Sequence, residues 1–223
     1  MRKLLGIYGA GGFGREIMPM VADGCRILDA QSRQIKIKQS VFIETEPHAS
    51  QINGYEILSE EGLKSQTNRK VFFSVAIADS QAREKIAERM KEKGYESCTL
   101  IDRTAIFHSN SSLGEGAILS HLAIVTANTN IGKYFHGNYR SYVAHDCSVG
   151  DYVTFAPGAS CNGNVEIADH VYVGSNATIK QGSMKHPIHI GKNSIIGMGA
   201  VVIDDVPENV VVVGNPARVI RSI

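Results

Sequence analysis

An apolar run that ends in a glycine turn and opens a helix, a shift in composition near residue 100, and a six-residue period of mostly aliphatic residues thereafter predict a chain of two architectures. The first is a small Rossmann-like α/β domain over residues 1–100, and the second is a left-handed parallel β-helix over residues 101–223. With 223 residues, 43% of them hydrophobic and 20% charged, the chain has material for a substantial core, which argues against disorder and against a coiled coil.

In the first half, Lys3 to Tyr8 reads as a strand, Gly9-Ala-Gly-Gly-Phe-Gly14 as a tight turn, and Arg15 to Ala22 as a helix with Ile17, Met20 and Val21 in phase. Arg26 to Leu28 reads as a second strand ending at Asp29, and Val71 to Ala78 as a buried parallel strand. Gln81 to Lys93 is a charged helix closed by Gly94. A small parallel sheet is the natural assembly. The stretch from Gln31 to Ser65, with Ile35 and Ile37 alternating against polar residues and then Asn53-Gly54, is assigned to a loop or hairpin. The spacing of Gly9, Gly11 and Gly14 at a helix start lets backbone N–H groups approach a phosphate, the alternative being a tight turn with no ligand. Asp29 at a strand tip either accepts a ribose or sugar hydroxyl or is a solvated strand end. A unit of this size makes half of a dinucleotide site, which suits one nucleotide-linked ligand.

From Ile101 the sixth residues read Ile101, Phe107, Leu113, Leu119, Val125, Ile131, Gly137, Val143, Val149, Phe155, Cys161, Ile167, Val173 and Ile179. Four places after each stands a small or β-branched residue, Phe135 being the exception. Such a chain coils with one short strand per hexad, a large aliphatic stacked inside at each turn, and three hexads to each triangular coil. The phase breaks after Ile179 and resumes at Ile190, which marks Ser183-Met-Lys-His-Pro187 as a five-residue insertion that loops out. It either flanks a ligand groove, with Lys185 near phosphates, or is an inert surface loop.

Twenty-three basic residues against 22 acidic ones, with no long basic run, argue against nucleic acid or a polybasic membrane patch as partner. No stretch is apolar for long enough to span a membrane, and the N-terminus lacks the apolar core of a signal peptide, so a cytoplasmic protein is expected. The four cysteines have neither metal-ribbon spacing nor disulfide-scaffold density.

The repeat, its ending Val213-Gly-Asn-Pro-Ala217 and the N-terminal glycine turn together resemble the hexapeptide-repeat sugar acyltransferases of the bacillosamine N-acetyltransferase and NeuD-like sialic-acid O-acetyltransferase type, over nearly the whole chain. That resemblance implies a homotrimer, acetyl-CoA as co-substrate in the groove between adjacent β-helices, and a nucleotide-activated amino sugar on the N-terminal domain. It also implies a role in lipopolysaccharide or other surface-glycan synthesis.

Acyl transfer from a thioester to an amine needs a base, a group that keeps it basic, and a donor for the oxyanion. His145 and Asp146 suit the first two roles near a coil corner, where an isolated histidine and aspartate would otherwise be turn residues. The resemblance places the catalytic histidine at His145, with Asp146 where some members carry Glu, a substrate-contacting asparagine at Asn138, and the oxyanion N–H at Gly163, one full coil after the histidine. It also implies acetyl-CoA contacts at Thr154, where several members have a second histidine, and at Gly163, Ser175 and Met198. Nucleotide-sugar contacts are implied at Gly11, Gly12, Phe13, Asp29 and Ala78, with Phe13 replacing a histidine of some relatives. The activity expected is N-acetylation of a nucleotide-linked 4-amino-4,6-dideoxyhexose without a metal. The alternatives are O-acetylation of sialic acid or another sugar, a zinc hydratase using His121, His145 and His170, and a non-catalytic trimeric scaffold.

Overall fold

The structure, a computed structural model, describes residues 2–66 and 68–223 and divides into two compact units, Met1–Arg103 and Thr104–Ile223.

The strands of the first unit are β1 (Arg2–Tyr8), β2 (Arg26–Leu28), β3 (Gln39–Glu44), β4 (Gln51–Ile52), β5 (Tyr55–Ser59), β6 (Arg69–Val75), β7 (Glu96–Ser97) and β8 (Thr99–Ile101). Six of them form a sheet of order β4-β5-β3-β1-β6-β7, in which all pairs are parallel except β4 with β5. Helices α1 (Gly12–Ala22), α2 (Glu60–Lys64) and α3 (Ser80–Glu92) complete the unit. Leu4, Leu5 and Ile7 in the central strand are all fully buried, the continuous apolar signature of a strand covered on both faces. Gly14 is required by close packing, because a Cβ there would lie 1.8 Å from the carbonyl oxygen of Gly9.

Two expectations are corrected here. In the stretch read as a loop or hairpin, a hairpin does form, β4 with β5 around Asn53-Gly54, but the strand beside β1 is β3, whose buried run Val41-Phe42-Ile43 sits between polar neighbours and is too short to show a period. Arg26–Leu28 is a strand, but it pairs antiparallel with β8 and is not part of the parallel sheet. Around the C-terminal ends of β1 and β5, Glu60 accepts hydrogen bonds from Tyr8, Arg89 and Lys93. Burial opposes ionisation of this carboxyl, but those donors outweigh it and bring its pKa down from 4.5 to about 2.

The second unit is the left-handed parallel β-helix. Its short strands form three parallel sheets in which each residue pairs with the one a full coil later, as in Val125↔Val143, Val143↔Cys161 and Ile131↔Val149. Between strands the chain turns a corner, and the second corner residue takes positive φ at Leu122, Asn128, Tyr134, Arg140, Asp146, Tyr152, Asn164, His170 and Asn176. Asparagine recurs there because it tolerates the left-handed region better than other side chains. The two irregularities of the repeat compensate one another. Phe135, large where a small residue is expected, is fully buried, and Gly137 is small where a large one is expected. A Cβ on Gly137 would come within 2.9 Å of both Phe135 and Leu119, so the phenyl ring fills the missing aliphatic volume.

The insertion loops out as expected. Ile167 pairs with Ile190, beyond the place where the regular period would put its partner, and Ser183 and His186 close the loop by reciprocal backbone hydrogen bonds. The coil ends in an antiparallel pair, Val210–Val213 with Arg218–Ser222, around the Gly-Asn-Pro turn.

Candidate active site

His145 and Asp146 are the two residues of one β-helix corner. Asp146 has φ 57°, and its Oδ2 lies 2.7 Å from His145 Nδ1. The other oxygen, Oδ1, accepts from Asn128 Nδ2 at 3.1 Å, from the same corner one coil earlier. The hydrogen bond from His145, and after it the one from Asn128, hold the Asp146 carboxyl below the ordinary carboxylate range. An ionised Asp146 accepts the Nδ1 hydrogen and leaves Nε2 of a neutral His145 as the basic nitrogen. The imidazole is 57% exposed, so the nitrogen is accessible.

One coil later the same corner carries Gly163. A Cβ there would sit 2.5 Å from His145 Cε1 and 2.7 Å from Nε2, so only glycine leaves the ring its place. Asn164 N–H donates to the His145 carbonyl at 3.1 Å, which fixes the corner backbone. The next pass at this corner is the insertion, anchored by Gly182 N–H on Gly163 O at 3.0 Å.

The remaining β-helix residues gather elsewhere. Asn138 leads into the corner of Tyr139 and Arg140, and among the described residues its buried Oδ1 has no hydrogen-bond partner. Ser175 and Met198 stand at that second corner on successive coils, tied by Gly199 N–H on Ser175 O, and Met198 is exposed. Thr154 is buried on its strand between His136 and Tyr172. His121, His145 and His170 fall on three different corners, so a single chain does not gather them.

In the first unit the parallel strands bring the glycine turn after β1, Glu44 at the end of β3 and Ala78 beyond β6 to one edge of the sheet. At Gly11 and Gly12 a Cβ would meet nothing within 4 Å, unlike at Gly14, so this part of the turn faces open space. Helix α1 begins there, next to Phe13, with no side-chain cap and no acid in its first turn, which leaves its positive end available to an anion. The Ala78 segment is anchored by the buried Arg83, which donates to the carbonyls of Ile77 and Ala78 at 2.8 and 3.2 Å. Asp29 follows β2 and its carboxylate is engaged by its own turn: Gln31 N, Arg33 N and Arg33 Nε donate to it at 3.0, 2.9 and 2.8 Å.

Sequence reasoning missed Glu44. Its Oε1 accepts from Ala10 N at 3.3 Å, which sets the carboxylate against the glycine turn. The signal lay in the short apolar run Val41-Phe-Ile ending in an acid, obscured by the polar flanks. Asn128 was missed as well, although its place one coil before Asp146 was readable from the period.

Comparison with known proteins agrees with this architecture. Residues 4–90 match the PglD N-terminal domain family. Over 221 residues, 97% of this chain and 96% of the relative, the sequence is 42% identical to GDP-perosamine N-acetyltransferase of Escherichia coli O157:H7. The chain belongs to the hexapeptide-repeat sugar acetyltransferases with a PglD-type N-terminal domain. Within this family, WeeI from Acinetobacter baumannii AYE superposes with a TM-score of 0.89 at 43% identity, covering 98% of this chain and all of that one. PerB from Caulobacter crescentus, solved with CoA and GDP-perosamine, has a TM-score of 0.82 at 22% identity over 96% of each chain, a likeness of fold. No helix among the described residues is long and apolar enough to cross a membrane.

Proposed function

We propose that the protein transfers an acetyl group from acetyl-CoA to the amine of a nucleotide-linked 4-amino-4,6-dideoxyhexose, with His145 as general base. The observation that carries this reading is the His145–Asp146 pair on an open corner with Gly163 against the ring, in a chain similar over its length to a GDP-perosamine N-acetyltransferase. His145 Nε2 takes a proton from the sugar amine as the nitrogen attacks the thioester carbonyl. The C–N bond forms, the C–S bond breaks, and the proton passes from His145 to the departing CoA sulfur. Asp146 holds the ring through Nδ1–H and offsets the imidazolium charge, and Gly163 N–H donates to the oxyanion.

Gly11, Gly12, Phe13, Ala78 and, in this reading, Glu44 rather than Asp29 bind the nucleotide-sugar, the helix end of α1 taking phosphate and Glu44 a hydroxyl. Thr154, Ser175 and Met198 line the path of acetyl-CoA, and Asn138 contacts the sugar. The His145 corner and the Asn138–Ser175–Met198 corner are different edges of one triangular coil, so one chain does not bring them together. This supports a homotrimer with composite sites, working in the cytoplasm on surface-glycan precursors.

The test is release of CoA thiol from acetyl-CoA by the purified protein with GDP-, UDP- and dTDP-linked 4-amino-4,6-dideoxy sugars, GDP-perosamine first, and with free sialic acid. Turnover on an amino sugar, lowered about 10³-fold by His145→Ala, is the expected result. Turnover on sialic acid alone, or an active His145→Ala variant, overturns the reading.

A further inference from the structure

The catalytic corner carries a hydrogen-bonded chain with a direction. Asn110 Nδ2 donates to Asn128 Oδ1 at 2.8 Å, Asn128 Nδ2 donates to Asp146 Oδ1 at 3.1 Å, and Asp146 Oδ2 faces His145 Nδ1 at 2.7 Å. The first two links each span one coil, so three successive side chains of one column are joined end to end. A primary amide has a donor end and an acceptor end, and it fits such a column either way up. With Asn128 in the observed sense its N–H faces the carboxylate. Inverted, its oxygen would face the carboxylate and repel it. Asp146, which only accepts, selects the observed sense, and Asn110 matches it by presenting an N–H to the Asn128 oxygen.

We propose that Asn110 and Asn128 are positioning residues whose shared amide polarity holds the Asn128 N–H on the Asp146 carboxylate, aims that carboxylate at His145 and keeps the Nε2 lone pair facing the substrate. This inference rests on the reading of His145 as base. The molecule contains its own control: at another corner Asn193 Nδ2 donates to Asn209 Oδ1 at 2.9 Å, a ladder of two amides. The backbone also permits a clean deletion at Asn128, which stands at φ 56°, a conformation glycine accepts without strain.

The experiment measures kcat and KM for both substrates, together with the imidazole ¹⁵N spectrum that reports which ring nitrogen carries hydrogen. Asn128→Gly is expected to lower kcat about tenfold with both KM values within about twofold, because the amide acts on the base and not on substrate binding. Asn110→Asp is the decisive variant. It is nearly isosteric but only accepts, so it competes with Asp146 for the Asn128 N–H and favours inversion of the amide. Its kcat is expected to fall as far as that of Asn128→Gly, with the His145 Nδ1–H signal weakened, whereas Asn110→Gly, which does not invert Asn128, loses less than about threefold. Asn193→Gly should leave kcat unchanged. The proposal is overturned if Asn110→Asp keeps wild-type kcat and spectrum, or loses no more than Asn110→Gly, in a protein that His145→Ala inactivates. Activity retained by His145→Ala would instead remove the base on which the proposal rests.

Discussion

The two units build their candidate sites from opposite kinds of neighbourhood. In the β-helix coils that carry the site, spatial neighbours are 18 residues apart, so His145 meets Gly163 and Asp146 meets Asn128 through arithmetic on the chain. In the N-terminal unit, crossovers of unequal length bring Glu44 to Ala10 across 34 residues and Glu60 to Tyr8 across 52. The β-helix site depends on side chains left out, such as Gly163. The N-terminal edge depends on ionic ties and open backbone. A repeat therefore exposes its chemistry to reading by position, while a wound sheet hides it in topology.

The largest effect expected to test this contrast is at Gly163. Gly163→Ala places a methyl group where the imidazole lies, so kcat should fall about a hundredfold, roughly 2.7 kcal/mol, while the melting temperature changes little. An unchanged kcat would show that the ring does not need that space.

Next in size is Glu60, the tie of the first unit. Its carboxyl is ordinarily half-protonated at 4.5 and is held at about 2 in the folded chain. The stabilisation is therefore complete above about pH 4.5 and is lost as pH falls from there toward 2, an effect of roughly 2–3 kcal/mol. Glu60→Gln should lower the stability of the first unit at pH 7 and flatten its acid denaturation in that window. Urea melts at pH 7 and pH 3 would check both.

A smaller effect separates Glu44, at the glycine turn, from Asp29, in its own turn after β2. Glu44→Gln should raise KM for the nucleotide-sugar about tenfold, close to 1.4 kcal/mol, and leave KM for acetyl-CoA unchanged. Asp29→Asn, which loosens a turn closed by Arg33, should affect stability and leave both KM values alone. The reverse pattern would return the nucleotide contact to Asp29.

The smallest is within the core of the repeat. Gly137→Ala should destabilise the β-helix by about 1 kcal/mol, because the added methyl group meets Phe135 and Leu119, and Phe135→Leu should recover part of that loss. Additive effects in a double-mutant cycle would deny the size exchange between the two positions.

What the sequence disclosed follows the same division. The hexad phase located the β-helix, its insertion and the place of His145 against Gly163, because each of these is a statement about spacing. Asp29 reads as a strand tip because Arg26–Leu28 is a genuine strand; only pairing reveals that the strand lies outside the parallel sheet. Glu44 escaped notice because Val41-Phe42-Ile43 is short and both of its faces are buried, so it shows neither alternation nor helical period. Asn110 and Asn128 have ordinary turn composition, and their meaning resides in the direction of their hydrogen bonds, which spacing does not encode.

The insertion at Ser183–Pro187 has a consequence for how such chains change in length. Extra residues inside a strand would rotate every later side chain out of phase, but here Gly182 and Ile188 hold the coil at Gly163 and Asn164, and the surplus leaves and returns through the Ser183–His186 pair. The coil above does not register how many residues the detour contains. This corner, directly over the column of His145 and Gly163, is thus a position where residues can be gained or lost without re-indexing the repeat.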